Sequence, residues 1–252
     1  MTPLLFVIIL IGCYLIGSIS NARIITSFIA PQADLENIEL RDPEKGVTMT
    51  LKTVGATTAS MVVGPGKGWI IVLLDIMKSA LPTLALRLLF PGTYYYFLGI
   101  AVMVGHIWPV YYRFHGGGGL ATALGILLVV DPLGAFVSVL LAVIIGMFII
   151  HETAICFLGG PRLFLVWISF RTGNWYLILF NLLINSLLII AVLPDISTAL
   201  KKGDIKISTG MDIVPLARPI NAFLEKFRNK LKGDKETAEN DNVRIGVKKT
   251  KE

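Results

Sequence analysis

Apolar runs separated by short polar, Gly or Pro punctuation occupy most of the first 200 positions. The first run extends from about Pro3 to Ala30 and passes through Gly17-Ser18 to Asn21 and Arg23. No basic region precedes it and no small-residue cleavage site ends it, so it reads as a retained helix and not as a signal peptide. Further apolar segments follow at about 68–90, 94–113, 119–130, 133–150, 153–170 and 174–193. A crossing needs about 20 apolar residues. The breaks allow six or seven spans, and seven is the reading adopted. Asp131-Pro132 predicts a helical hairpin with a short first arm, because Pro and the residue before it disfavour helix continuation. Gly159-Gly160-Pro161 blurs the next boundary. Tyr94, Tyr95 and Tyr96 mark an interface end of a span.

Positions 31–67 break this pattern. They hold Asp34, Glu36, Glu39, Arg41, Asp42, Glu44, Lys45, Lys52 and Lys67, together with Gly55-Ala56-Thr57-Thr58 and Gly64-Pro65-Gly66. A loop of that length is too long for a passive connection in a compact bundle, which makes it a functional or a disordered one. Beyond residue 200 the chain turns polar. Ile220, Phe223, Leu224, Phe227 and Leu231 set against Glu225, Lys226, Arg228 and Lys230 predict an amphipathic helix over 219–231, lying on the bilayer or on the protein's own inner face. Residues 233–252 read as disordered. The expected organisation is an all-α, polytopic transmembrane bundle over 1–200, with a loop at 31–67, and a basic tail over 201–252.

Composition supports this picture. Of 252 residues, 54% are hydrophobic and only 16% charged, against about a quarter in soluble domains. The mean hydropathy is +0.73. An ordinary soluble domain, a disordered chain and a disulfide-stapled secreted domain are all excluded. Cys13 and Cys156 fall inside apolar runs and read as buried thiols, with neither a disulfide nor a zinc site expected. The net charge is +6. Residues 1–200 carry 10 Lys and Arg against 9 Asp and Glu, and residues 201–252 carry 13 against 8, so most of the excess lies in the tail. A basic tail after a last span points to the cytoplasmic membrane surface, with membrane lipid as its partner and no nucleic acid. With the N-terminus outside, the inner side receives Arg41, Lys45, Lys52, Lys67, Arg113 and the tail, while the outer side receives Arg171 and Arg87. That orientation puts the long loop and Gly116–Gly119 on the cytoplasmic face.

Ionisable residues at membrane depth are costly and mark candidate sites. Asp75 and Lys78 lie three apart in the second span, on one helix face, as a packing ion pair or as support for a substrate site. Asn181 and Asn185 are placed to bridge neighbouring helices. His106 is followed by Trp108, Pro109 and then Gly116-Gly117-Gly118-Gly119. Four glycines between two spans let the backbone approach a ligand closely. Their N–H groups, with the N-terminus of the following helix, form a candidate anion cradle flanked by Arg113 and His115.

Four strings carry a resemblance. Tyr14-Leu15-Ile16-Gly17-Ser18, with Ala22, is similar to a first-helix signature Y-L-x-G-S. Val54-Gly55-Ala56-Thr57 resembles the core of G-S-G-N-x-G-A-T-N-x-x-R, and Asp75-Ile76-Met77-Lys78 resembles D-x-x-K. Gly105-His106-Ile107-Trp108-Pro109, then Phe114-His115-Gly116-Gly117-Gly118-Gly119-Leu120-Ala121-Thr122, resembles G-H-x-x-P followed by F-x-G-G-K-G-x-A-T. On these strings the chain resembles the bacterial integral-membrane acyl-phosphate:glycerol-3-phosphate acyltransferases of the PlsY type. It departs from their pattern at Thr53, Thr58 and Met61, where the family has Asn, Asn and Arg, and at Gly118, where it has Lys. Of a third family motif after the last span, only Leu200 and Gly203 match.

The resemblance implies a multi-pass protein of the bacterial inner membrane. Its active face would be cytoplasmic, and it would transfer an acyl group from acyl phosphate to glycerol 3-phosphate without metal or cofactor. It implies His106 and Ser18 as catalytic candidates. Gly55, Ala56, Thr57 and Gly116, Gly117, Gly118, Gly119 would hold phosphate, and Lys52, Lys67 and Arg113 would replace the missing cations. Asp75 and Lys78 would give structural support. The alternative is a non-catalytic lipid- or phosphate-binding paralogue partnered with an active copy. A small-solute transporter is a third reading, unsupported by any matching pair of broken helices.

Overall fold

The computed structural model describes residues 2–41, 48–90, 92–150 and 153–201. These residues form a bundle of nine α-helices with one small hairpin. Helices α1 (Pro3–Gly17) and α2 (Asn21–Ile29) form one bent apolar rod. Thr2 and Ser20 cap their N-termini through Oγ. The hairpin β1 (Ile38–Arg41) and β2 (Thr48–Leu51) is antiparallel and pairs Ile38 with Leu51. Then come α3 (Ala56–Val63), α4 (Pro65–Leu89), α5 (Tyr94–Ile107), α6 (Leu120–Val130), α7 (Pro132–Ile144), α8 (Thr153–Thr172) and α9 (Trp175–Lys201). A π-helical turn over Ile145–Ile150 extends α7.

Three expectations are adjusted. The count of seven spans is not confirmed: among the described residues, five helical stretches are long and apolar enough to cross a membrane, Pro3–Ile29, Pro65–Leu89, Pro132–Ile150, Ile155–Thr172 and Trp175–Asp195. The segment at 94–113 ends as a helix at Ile107 because Pro109 follows, which leaves 14 residues. α6 has 11 residues, about 16 Å of rise against a hydrocarbon core of about 30 Å. The second correction is to the 31–67 loop, which is built from the hairpin, α3 and the first turn of α4. The hairpin is also the exception to an otherwise all-helical fold. The third is Gly159-Gly160-Pro161, which does not interrupt α8. Asn185 on α9 instead donates to Pro161 O (3.2 Å) and to Asn181 Oδ1 (2.8 Å), so this pair does bridge two helices. The tail beyond Lys201, with the amphipathic helix expected over 219–231, lies outside the described residues.

Small residues set the helix crossings. A methyl group at Gly17 would overlap Val102 O, and one at Gly105 would overlap Tyr14 O, so α1 and α5 meet backbone to backbone. Gly125 similarly brings α6 against Ile76 O and Ser79 Oγ of α4, and Ser79 Oγ donates to Thr122 O (2.8 Å). Around these contacts α5, α6, α8 and α9 share a core that includes Met103, Ile126, Phe164 and Ile184. Asp131 breaks the run as expected. It caps α7 at Gly134 N (3.0 Å) and accepts from Trp167 Nε1 (3.1 Å) and Arg171, which pins α8 to the α6–α7 turn.

These crossings give a direct test. Gly17→Ala and Gly105→Ala should each cost about 1–3 kcal/mol, as overpacked substitutions do. Gly12→Ala, on the open side of the same helix with no atom within 4 Å, should be neutral or slightly stabilising. Thermal unfolding midpoints of the three variants in one detergent would make the comparison.

Candidate active site

The bent rod, α4, α5 and two loops converge on one buried ammonium. Asp75 and Lys78 both point inward from α4, with side chains only 3% and 7% exposed. Lys78 Nζ lies 2.7 Å from Ile19 O, 3.0 Å from His106 Nδ1 and 3.3 Å from Asp75 Oδ1. An ammonium has three N–H donors and no acceptor, so these three partners satisfy it. Asn21 Nδ2 donates to Asp75 Oδ1 (2.9 Å) and shares the carboxylate with Lys78. His106 Nδ1 therefore accepts, and the neutral ring carries its proton on Nε2. That edge faces the glycine loop, since a Cβ at Gly117 would overlap Nε2.

The glycine loop is folded back on the same helix end. Gly117 N donates to His106 O (3.1 Å), and a side chain at Gly116 would collide with that carbonyl. The loop is entered through a short 3-10 turn, Val110–Tyr112, and through Arg113 and Phe114, both left-handed at φ 50° and 64°. Gly119, at φ +80°, starts α6. Gly118 differs from its neighbours in having room for a side chain: the nearest atom to a built Cβ is Val192 Cγ1 at 3.8 Å, and its φ is not positive.

The second loop docks on the first. Val54 N donates to Gly116 O (2.7 Å), and a Cβ at Gly55 would sit 3.6 Å from Gly117 Cα. Thr58 Oγ1 accepts from Gly55 N (2.9 Å), closing the N-terminus of α3 over Ala56 and Thr57. The residue that caps α3 thus lies against the glycine loop that leads into α6. The first N–H groups of a helix lack partners within it and favour anions.

Among the residues expected from the sequence, His106, Asp75, Lys78, Gly55, Ala56, Thr57 and Gly116–Gly119 are brought together. Ser18 lies fully buried behind them. Its Oγ donates to Tyr14 O (2.9 Å) and accepts from Val110 N (3.4 Å). Among the described residues, the three expected cations make no hydrogen bond or ion pair with the glycine loop. Lys52 Nζ reaches Asn37 Oδ1 (2.8 Å), and Lys67 and Arg113 are exposed. Three further residues went unrecognised in the sequence. Asn21 supports Asp75. Arg23 Nη2 donates to Glu36 Oε1 (2.8 Å) and His115 O (3.0 Å), with its guanidinium 4.8 Å from the Tyr112 ring. Asp195 is buried and accepts from the backbone of Lys52 and Thr53. The available signal was their polarity within or at the end of apolar runs.

The family model for glycerol-3-phosphate acyltransferase matches residues 7–202. The protein of that name from Thermoanaerobacter sp. (strain X514) is 30% identical over 203 residues, covering 79% of this chain and 94% of its own length. The one from Halalkalibacterium halodurans is 34% identical over 139 residues, covering 54% of this chain and 62% of that protein. A crystal structure of PlsY (YgiH), an integral membrane glycerol 3-phosphate acyltransferase, in its glycerol 3-phosphate form has the same fold. The TM-score is 0.65 at 24% identity, over 81% of this chain and 96% of the other. The lysophosphatidic acid form gives 0.63 at 23%. With the family model covering most of its length, this chain belongs to the glycerol-3-phosphate acyltransferase family of membrane enzymes.

Proposed function

We propose that this protein transfers an acyl group from an acyl phosphate to the 1-hydroxyl of glycerol 3-phosphate. The product would be a lysophosphatidate for phospholipid synthesis, made at the cytoplasmic face of the bacterial inner membrane. The observation that carries the reading is the saturated Lys78 ammonium beneath the glycine loop, which leaves His106 as a donor aimed at that loop. In the reaction the acyl carbon loses its bond to the phosphate oxygen and gains one to the glycerol oxygen. The hydroxyl proton leaves with the inorganic phosphate. His106, already protonated at Nε2, is not the base in this scheme. It stabilises charge on a phosphate or acyl oxygen, and the loop amides do the same. Because the donor is activated, positioning and charge stabilisation supply the rate. Ser18, bonded on both sides, acts as scaffold, while Gly55–Thr57 and Gly116–Gly119 hold phosphate. The positive-inside bias of the loops supports the cytoplasmic placement.

One observation favours the non-catalytic alternative. Gly118 supplies no cation where the family pattern has lysine, and Lys52 turns away to Asn37. The surroundings of Gly118 make this testable, because a Cβ there meets nothing nearer than Val192 Cγ1 at 3.8 Å and the backbone is not left-handed. Purified protein in lipid nanodiscs, given labelled glycerol 3-phosphate and acyl phosphate, should form lysophosphatidate slowly and should form none from acyl-CoA. Gly118→Lys should raise the rate about tenfold, since a charge-assisted contact is worth about 1.5–3 kcal/mol. His106→Ala should abolish most of it. No product from either the parent or Gly118→Lys, in folded protein beside an active relative, would sink the enzyme reading and leave the non-catalytic one.

A second test addresses the buried charges. Asp75→Asn leaves the Lys78 ammonium without its counter-charge and should cost about 3–5 kcal/mol. Asp75→Asn combined with Lys78→Met should recover most of the folded yield in detergent. Equal losses in the single and double variants would argue against pairing.

A further inference from the structure

The last described helix, α9, reaches the candidate site near its C-terminal end. Asp195, near the end of α9, is 7% exposed. Its Oδ1 accepts from the N–H of Lys52 (2.6 Å) and of Thr53 (3.2 Å), and its Oδ2 accepts from the Thr53 hydroxyl (2.7 Å). The next N–H along the chain, that of Val54, goes instead to Gly116 O. One turn earlier on α9, Val192 is the neighbour that a side chain at Gly118 would meet. The end of α9 therefore touches both loops of the candidate site.

We propose that Asp195 is a positioning residue. It sets the 52–58 loop from the last span, so that Gly55, Ala56 and Thr57 are presented to the substrate phosphate. This rests on the acyltransferase reading. The carboxylate takes up the two N–H groups just upstream, which would otherwise offer the phosphate a competing, mis-registered seat. Its own charge is matched by three donors, so it does not repel an anion held farther along the loop. Nothing in the four motif strings points to this residue, because all of them end before α7.

Asparagine preserves the arrangement. Its Oδ1 accepts from both N–H groups, and its Nδ2 donates to the Thr53 hydroxyl oxygen. Asp195→Ala removes all three bonds, and Thr53→Val removes one. Amide exchange of the 48–58 segment should quicken at Lys52 and Thr53 in Asp195→Ala and stay slow in Asp195→Asn. In parallel, the KM for glycerol 3-phosphate should rise about tenfold in Asp195→Ala and a fewfold in Thr53→Val, with kcat changed much less. Asp195→Asn should remain near the parent. Adding Thr53→Val to Asp195→Ala should bring no further rise, because the two act through one contact. Unchanged exchange in Asp195→Ala would overturn the clasp. Quickened exchange with an unchanged KM would overturn its role toward substrate, as would a KM rise in Thr53→Val undiminished when Asp195 is already alanine. A parent that makes no product bears on the acyltransferase reading, whereas the exchange comparison decides the clasp without any turnover.

Discussion

A single buried ammonium organises this molecule. Taking a charge out of water costs several kcal/mol even after relaxation, and only complete local matching offsets that cost. Lys78 achieves it with acceptors from three separate places: the bend between α1 and α2, its own helix, and the end of α5. Each acceptor must be present for the others to hold. The bend at Ser18–Ser20 exposes the Ile19 carbonyl, which a continuous helix would have used internally. Gly17 and Gly105 let α1 approach α5 closely enough for that carbonyl and the His106 ring to share one donor.

From that cluster the order passes outward through backbone contacts. The His106 carbonyl holds Gly117, Gly116 holds Val54, and Asp195 holds the residues just before it. The two loops are therefore stacked layers on a rigid floor, each fixed by the one beneath. Arg23 closes the outer edge by joining Glu36 to the His115 carbonyl. The candidate site depends on this succession more than on any one side chain, which fits a reaction driven by positioning.

Much of this was legible in the sequence wherever the information was local. Apolar runs gave the long helices, Asp131-Pro132 gave the α6–α7 turn, and three-residue spacing put Asp75 and Lys78 on one face. Motif spacing placed His106 beside the glycine loop. What escaped was either compensated or distant. Pro161 reads as a breaker, yet α8 continues through it, and its carbonyl accepts from Asn185 of α9. The 31–67 segment is polar enough to read as an open loop, but Lys52 and Thr53 within it are held by Asp195, more than 140 residues away. Periodicity carries no signal for such a pairing. Arg113 and Lys52 were plausible cations by proximity in sequence, whereas the guanidinium that reaches the loop backbone belongs to Arg23, on another helix.

The shortness of α5 and α6 has a bearing on how two dissimilar reactants meet. α5 ends at the cluster and α6 starts beside it, each too short to cross a bilayer alone, and Lys78 lies 13 residues, about 20 Å of helix, from the start of α4 at Pro65. Under the proposed reaction, a cluster set that far along a membrane-spanning helix would lie toward the depth of the acyl chains. A donor carrying a long hydrocarbon tail would then reach it by lateral diffusion within its own leaflet, and a small, doubly charged acceptor would descend from the aqueous side along the polar loops. Neither would have to leave the phase in which it dissolves, so the protein would spare both the extraction of a lipid into water and the passage of a phosphate ester through oil.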